Sequence, residues 1–348
     1  MPSLNIANLI LLCVSACFTV GILTPVMRLI AIKYRIVDHP TESHKVHVGS
    51  IPYLGGVAII LGVVFVTYTA ILRNQFKGNA IFLASTILAP AIFMGVIGLI
   101  DDMYKLKPWP RFLIQTVSGF GISCFLVITD TLGSPFGNPW IDIPLTSLWI
   151  VGVTNSINFF DNVDGGASGT IAITSFFLFF LSWQNGQYFI AAMSIVLGGA
   201  TLGFLIWNKP PARIYMGDAG SLFLGVLIAS LTIRFDPNPI HKFASFSIPI
   251  FLLAVPILDT SVAVISRIMR GISPFQGGTD HLSHRLMRLG YSKRKAISIL
   301  WLLCSFFSSI AIAISYAPHT LENYGALFGG LCWIILFCYL IRLRALRD

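Results

Sequence analysis

The chain has 348 residues, of which 55% are hydrophobic and only 11% charged, with a mean hydropathy of +0.81. A soluble domain carries about 25% charged residues, so a water-soluble globule is excluded. The formal net charge of +9 points to an anionic surface or ligand, and the placement of its basic residues makes nucleic acid unnecessary. The cysteines Cys13, Cys17, Cys124, Cys304, Cys332 and Cys338 all lie in apolar runs without CxxC or metal spacing. They read as small buried hydrophobes.

Apolar runs near the ~20 residues needed to cross a bilayer fall at roughly 6–32, 51–72, 80–100, 111–129, 144–159, 168–183, 188–207, 219–234, 245–267, 296–316 and 323–341. They predict an all-α integral membrane protein, a bundle of about eleven transmembrane helices over residues 1–348, read as one catalytic domain. The first run lacks a preceding basic stretch and outlasts a signal peptide, so it reads as a retained span. The fifth, ending in asparagines and acids, is the weakest. No period-2 barrel pattern competes. The odd-numbered connections and the C-terminal tail, with flanking helix ends, hold 19 basic residues against 4 on the other side. The positive-inside rule then places the N-terminus outside and the C-terminus in the cytoplasm.

In chain order, the first connection brings His44, Lys45 and His47 ahead of a Pro52…Gly55-Gly56 entry. Read alone, this is a basic loop obeying the same rule. The third span ends in Asp101 and Asp102, where a helix C-terminus disfavours carboxylates. Two adjacent acids there want a cation: Lys105, Lys107 or a metal. The fifth ends in Asn158, Asp161 and Asp164, spaced by three so that neighbours share a face, before Gly165 and Gly166. Such oxygen ligands suit Mg²⁺, which is held by one or two carboxylates plus substrate phosphates. Asp218 opens the eighth span, where it is either an N-cap or a metal ligand. Asp259 stands alone inside the ninth, either paired structurally or supporting the site.

The ninth connection, residues 268–295, reads as a cytoplasmic loop with an amphipathic basic helix. There His281, His284, Arg285 and Arg288 follow i, i+3, i+4, i+7, with Leu282, Leu286 and Leu289 on another face. The polar stripe suits a pyrophosphate; a basic helix lying on anionic lipid is the alternative. Acids and basic stripe collect on one predicted face, as expected for phosphoryl chemistry on a substrate presented by the membrane. A transporter, the rival from another class, would place its acids near the bilayer midplane in repeated halves, and no repeat is visible. An intramembrane protease or phosphatase would place them inside spans, where only Asp259 fits.

These motifs resemble the polyprenyl-phosphate N-acetylhexosamine-1-phosphate transferases, relatives of phospho-MurNAc-pentapeptide translocase, over nearly the whole chain. The likeness is carried by Lys45-x-His47…Pro52-x-x-Gly55-Gly56, Asp101-Asp102, Asn158-x-x-Asp161-x-x-Asp164-Gly165, Gly217-Asp218-x-Gly220-Ser221 and His281-x-x-His284-Arg285-Leu286. The resemblance implies a multi-pass enzyme of the cell inner (plasma) membrane with its site facing the cytoplasm. It would use Mg²⁺, with Mn²⁺ as a substitute, to move N-acetylhexosamine-1-phosphate from a UDP-sugar to undecaprenyl phosphate or a similar lipid, releasing UMP. By this likeness Asp101, Asp102, Asp161 and Asp164 are catalytic, and Asp218 and Asp161 bind metal. Lys45, His47, Asn158, His281, His284 and Arg285 would contact substrate, and a homodimer is compatible with the family. Asn162 stands where the family often has glycine, Ser283 replaces one histidine, and His44 and Tyr53 stand where arginines are frequent. The sugar is therefore left open, with GlcNAc favoured. Direct attack by the lipid phosphate and a covalent aspartyl intermediate both fit, direct attack being preferred.

Overall fold

The structure is a computed structural model and describes residues 5–38, 51–73, 79–129, 136–275 and 278–345. Its elements in order are α1 (Ile6–Lys33), β1 (Val37–Asp38), β2 (Ile51–Pro52), α2 (Gly55–Arg73), α3 (Asn79–Tyr104), α4 (Pro108–Ile128), α5 (Pro139–Phe160) and α6 (Gly166–Gln184). Then follow α7 (Tyr188–Asn208), α8 (Gly217–Arg234), α9 (Lys242–Leu252), α10 (Ala254–Ile268), α11 (Leu282–Arg288), α12 (Lys293–Ser315) and α13 (Glu322–Ala345). Among the described residues ten helices are long and apolar enough to cross a membrane, and α9 with α10, bent by 78°, supplies an eleventh as a broken span. The expected multi-pass helical bundle is what the residues build. The two strands form one short antiparallel pair, Val37 opposite Pro52.

The helix ends follow from local chemistry. Proline opens α4 and α5, where its missing N–H costs nothing. Asn138 Oδ1 accepts the Trp140 N–H at 3.0 Å and caps α5. The bend in the ninth predicted span falls at Leu253, between Pro249 and Pro256. Pro256 has no N–H for the carbonyl four residues back, so the ladder is interrupted there.

The chain divides into two compact units, Met1–Asp236 and Pro237–Asp348. In the first, α8 is central, with 78% of its window buried against 17% for α1. Small residues let it approach its neighbours, as in other membrane bundles. A Cβ on Gly98 of α3 would collide with the backbone carbonyl of Asp218, and one on Gly56 of α2 with the backbone N of Gly220. On α8 itself, a Cβ on Gly225 would lie 2.6 Å from Thr154 Cα of α5. These three close approaches set α8 against the C-terminal part of α3, the start of α2 and the middle of α5. In the second unit, Phe251 stacks on Phe307 with ring centroids 6.2 Å apart.

Candidate active site

In the first unit the chain before α8 is stitched to the entry of α2. Tyr215 N–H donates to Pro52 O, and Gly55 and Gly56 donate to the carbonyls of Tyr215 and Met216, all within 3.0 Å. Gly217 then turns with φ +68° and α8 begins. The Asp218 and Ala219 N–H groups donate to Asp102 Oδ1 (2.9 Å) and Oδ2 (3.1 Å). Asp102 thus caps α8 from another helix, where the helix dipole favours a carboxylate. Tyr53 hydroxyl donates to the Asp102 carbonyl at 3.0 Å.

Asp218 is held on both oxygens. Asn158 Nδ2 donates to Oδ1 at 2.8 Å, and also to Ser221 Oγ at 2.8 Å. Arg111 Nη1 bridges Asp218 Oδ2 at 3.0 Å and Asp101 Oδ2 at 3.1 Å. Asp101, itself buried, also accepts the Leu106 N–H at 2.9 Å. Asp161, just past the end of α5, differs: among the described residues its carboxylate accepts no hydrogen bond. Burial pushes its pKa well above the usual carboxylate range, and the charges of Asp218, Asp102 and Asp164 push it further. Asp164 is turned to another task. Its Oδ2 accepts the Ala212 N–H at 3.0 Å, while Asn208 Oδ1 takes the Gly165 N–H at 3.0 Å and the Ser168 hydroxyl at 2.8 Å. Asp164 and Asn208 fix the segment between α7 and α8.

The donor set fits a hard divalent cation. Asp101, Asp102, Asp161 and Asp218 offer only oxygen, and among the described residues Arg111 is the one cation paired with them. The raised pKa of Asp161 reflects first its burial and then the neighbouring carboxylates. Among the described residues no three acid, histidine or cysteine side chains form a ready metal cage. A Mg²⁺ ion held there would have to complete its shell with water and substrate phosphates.

The second unit carries the expected histidine–arginine stripe, though not all of it on one helix. The helix is only α11, and His281 precedes it as N-cap residue. Leu282, Leu286, His281 and Arg285 are all buried, so most of α11 is packed into its unit, while Arg288 and Leu289 at its end are exposed. Arg285 spends its guanidinium inside the protein, donating to Asp280 O (2.8 Å), Leu340 O (2.8 Å) and Ser266 Oγ (2.6 Å). Arg267 Nε pairs with Asp280 Oδ2 at 3.2 Å. Asp259, which had no evident partner in sequence, lies 2.7 Å from His281 Nδ1. His284 has no hydrogen-bond partner among the described residues. Burial lowers its pKa to about 4, helped by His281, Arg288 and Lys293 and opposed by Asp259. It is a neutral imidazole near pH 7.

Of the sequence-derived candidates, Asp101, Asp102, Asn158, Asp161 and Asp218 come together in the first unit, with Asp164 pinning the adjoining chain. His281, His284 and Arg285 gather in the second. Lys45 and His47 lie outside the described residues. Sequence reasoning missed Arg111, counted only as a topology charge, and Asn208. The signal for Arg111 was its position one turn into a span that starts beside two acids.

Comparison with known proteins bears on the same residues. The family described as "Glycosyl transferase family 4" matches residues 83–236, which hold Asp101, Asp102, Arg111, Asn158, Asp161, Asp164 and Asp218. A Bacillus subtilis protein described as a probable undecaprenyl-phosphate N-acetylglucosaminyl 1-phosphate transferase is 37% identical, over 86% of this chain and 83% of its own length. A Mycobacterium tuberculosis H37Rv decaprenyl-phosphate N-acetylglucosaminephosphotransferase is 30% identical over 79% of this chain and 75% of its own. An Escherichia coli K12 undecaprenyl-phosphate alpha-N-acetylglucosaminyl 1-phosphate transferase is 25% identical over 90% and 83%.

Proposed function

This chain belongs to the polyprenyl-phosphate N-acetylglucosaminyl-1-phosphate transferases of glycosyl transferase family 4, and from that premise we propose that it moves GlcNAc-1-phosphate from UDP-GlcNAc to undecaprenyl phosphate or a similar polyprenyl phosphate. The observation that carries the reading is the carboxylate cluster at the meeting of α3, α5 and α8, short of positive charge at the end of a bundle of membrane spans. In the proposed reaction a lipid phosphate oxygen attacks the sugar-bearing phosphorus. The new P–O bond forms as the pyrophosphate P–O bond to UMP breaks, and the sugar–phosphate bond survives. Asp218 and Asp161 would hold Mg²⁺ with the substrate phosphates. The ion would neutralise charge developing on the bridging and leaving oxygens.

The residues favour direct attack over a covalent intermediate. Asp102 uses both oxygens to cap α8, and Asp101 is held by Arg111 and the Leu106 N–H. Neither is free to be a nucleophile. Asp161, whose oxygens accept no hydrogen bond among the described residues, is left for the ion, and a lipid phosphate dianion is already a competent nucleophile without a protein base. Arg111, paired with two of the acids, would accompany the reacting phosphates, and the family resemblance supports a role for His284 in contacting the nucleotide-sugar. The basic asymmetry of the connections puts this chemistry on the cytoplasmic side of the plasma membrane.

The test supplies the purified chain with Mg²⁺, undecaprenyl phosphate and a panel of UDP-sugars and measures UMP. Release is expected with UDP-GlcNAc and to cease with EDTA. A folded sample that releases no UMP with any sugar would remove the reading, and release with a different N-acetyl sugar alone would reassign the donor.

A further inference from the structure

Asp259 is fully buried inside α10, and an acid at membrane depth is expensive and usually functional. Its Oδ2 lies 2.7 Å from His281 Nδ1, and its Oδ1 accepts the Leu282 N–H at 2.6 Å. The far ring nitrogen of His281, Nε2, lies 3.3 Å from Arg267 Nη2. A guanidinium only donates, so Nε2 carries the lone pair and Nδ1 the proton. A doubly protonated ring would set one N–H against another. Asp259 therefore selects the tautomer of His281, just as Leu282, which it also holds, opens α11. Two residues further on is His284, whose ring centroid lies 6.4 Å from that of His281. The two buried arginines of this cluster are committed. Arg267 is shared among Asp280, His281 and the Pro274 carbonyl, and Arg285 is spent on three protein acceptors. A cluster so saturated cannot offer His281 to a ligand, but it can hold its neighbour still.

We propose that Asp259 is a positioning residue for the transfer reaction, holding His281 in its Nδ1–H tautomer and anchoring the start of α11 so that His284 is presented to the nucleotide-sugar. The inference rests on the reading above that His284 contacts that substrate. It asks for no proton transfer and no bond to Asp259 itself.

Asp259→Asn keeps the size of the side chain but introduces a donor where two donors already point. Either the Leu282 N–H loses its acceptor, or the ring moves its proton to Nε2 and meets Arg267. Supporting groups of this kind change function by about 10–100-fold, and the wrong histidine tautomer alone lowers turnover in a hydrolytic triad by about 10⁴.

UMP release is measured on the full chain in nanodiscs for the wild type, Asp259→Asn, the Asp259→Asn/His281→Gln double variant and His284→Gln. Asp259→Asn should lower kcat/KM for the UDP-sugar by about 10–100-fold, leaving the KM for polyprenyl phosphate within about twofold. The double variant should be no worse than Asp259→Asn, because both substitutions break the same Asp259–His281 contact and their losses do not add. Packing damage alone would make the double variant worse than the single, and that result overturns the proposal. So does Asp259→Asn with wild-type kinetics while His284→Gln is impaired. Wild-type kinetics in His284→Gln would instead remove the premise that His284 touches substrate. If Asp259→Asn does not fold, ¹⁵N-histidine spectra of the wild type decide: a protonated Nδ1 on His281 supports the assignment, and a protonated Nε2 overturns it.

Discussion

The two polar clusters of this protein use the same kinds of charged residue to opposite ends. In the first unit Asp101, Asp102, Asp161 and Asp218 face one paired arginine, and Asp161 is left without a hydrogen-bond donor among the described residues. In the second unit Asp259, Asp280, Arg267, Arg285 and His281 satisfy one another almost completely. Buried charge is tolerated when it is paired and hydrogen-bonded, so the second cluster is stable as it stands. The first keeps more carboxylates than its one paired arginine neutralises. An incomplete cluster is built to receive a ligand, and a complete one is built to hold a shape.

The largest expected effect tests the incomplete cluster. Asp218→Asn should lower UMP release by about 10³-fold, because it removes charge from the carboxylate that Asn158 and Arg111 hold in place. Its thermal unfolding without metal should be little changed. An active Asp218→Asn protein would put the reacting phosphates elsewhere. Arg285→Ala tests the complete cluster and should act through stability. It removes three donated hydrogen bonds in a buried place, a loss of about 2–4 kcal/mol. Calorimetry or denaturant titration should show this as a destabilised second unit. A fully stable Arg285→Ala protein with a raised KM for the UDP-sugar would return Arg285 to direct substrate contact.

A smaller effect separates scaffold from chemistry. Gly98→Ala inserts a methyl into the backbone of α8 at Asp218, and such overpacking costs about 1–3 kcal/mol. The melting temperature should fall and metal dependence should shift. Unchanged behaviour would show that α3 and α8 need not be in close contact. The smallest effect concerns pH. His284 titrates near 4 when folded and near its ordinary 6.5 when unfolded. The unfolded chain therefore binds the extra proton first, so stability is lost as pH falls from about 6.5 toward 4. His284→Gln should flatten that acid limb of the melting profile; an unaltered limb would assign it to other groups.

Much of this was legible before any coordinates. Apolar run lengths predicted the spans because lipid leaves a backbone few ways to satisfy its hydrogen bonds, and the weakest run became the regular helix α5. Asp101, Asp102, Asn158, Asp161 and Asp218 were each visible as polar groups at span ends, where a bland role is expensive. Arg111 was not visible, because a basic residue at a span end already has a sufficient explanation in topology. The stripe of His281, His284, Arg285 and Arg288 was found correctly as a polar cluster. Its burial was not legible, because helical periodicity says which residues share a face and not whether that face looks inward. Asp259 stayed ambiguous for the same reason: its partner lies 22 residues away, across a connection.

The sequence by itself determined a multi-pass helical membrane protein with acids and bases concentrated in particular connections, since length, hydropathy and charge act locally or along the chain. Only the tertiary structure decided what each of those groups does. It made Asp102 the cap of α8, placed Arg111 between Asp101 and Asp218, left Asp161 uncommitted and gave Asp259 to His281. The physical reason is that a polar side chain's role is set by whether its hydrogen bonds are already used, and those partners come from helices far apart in the chain.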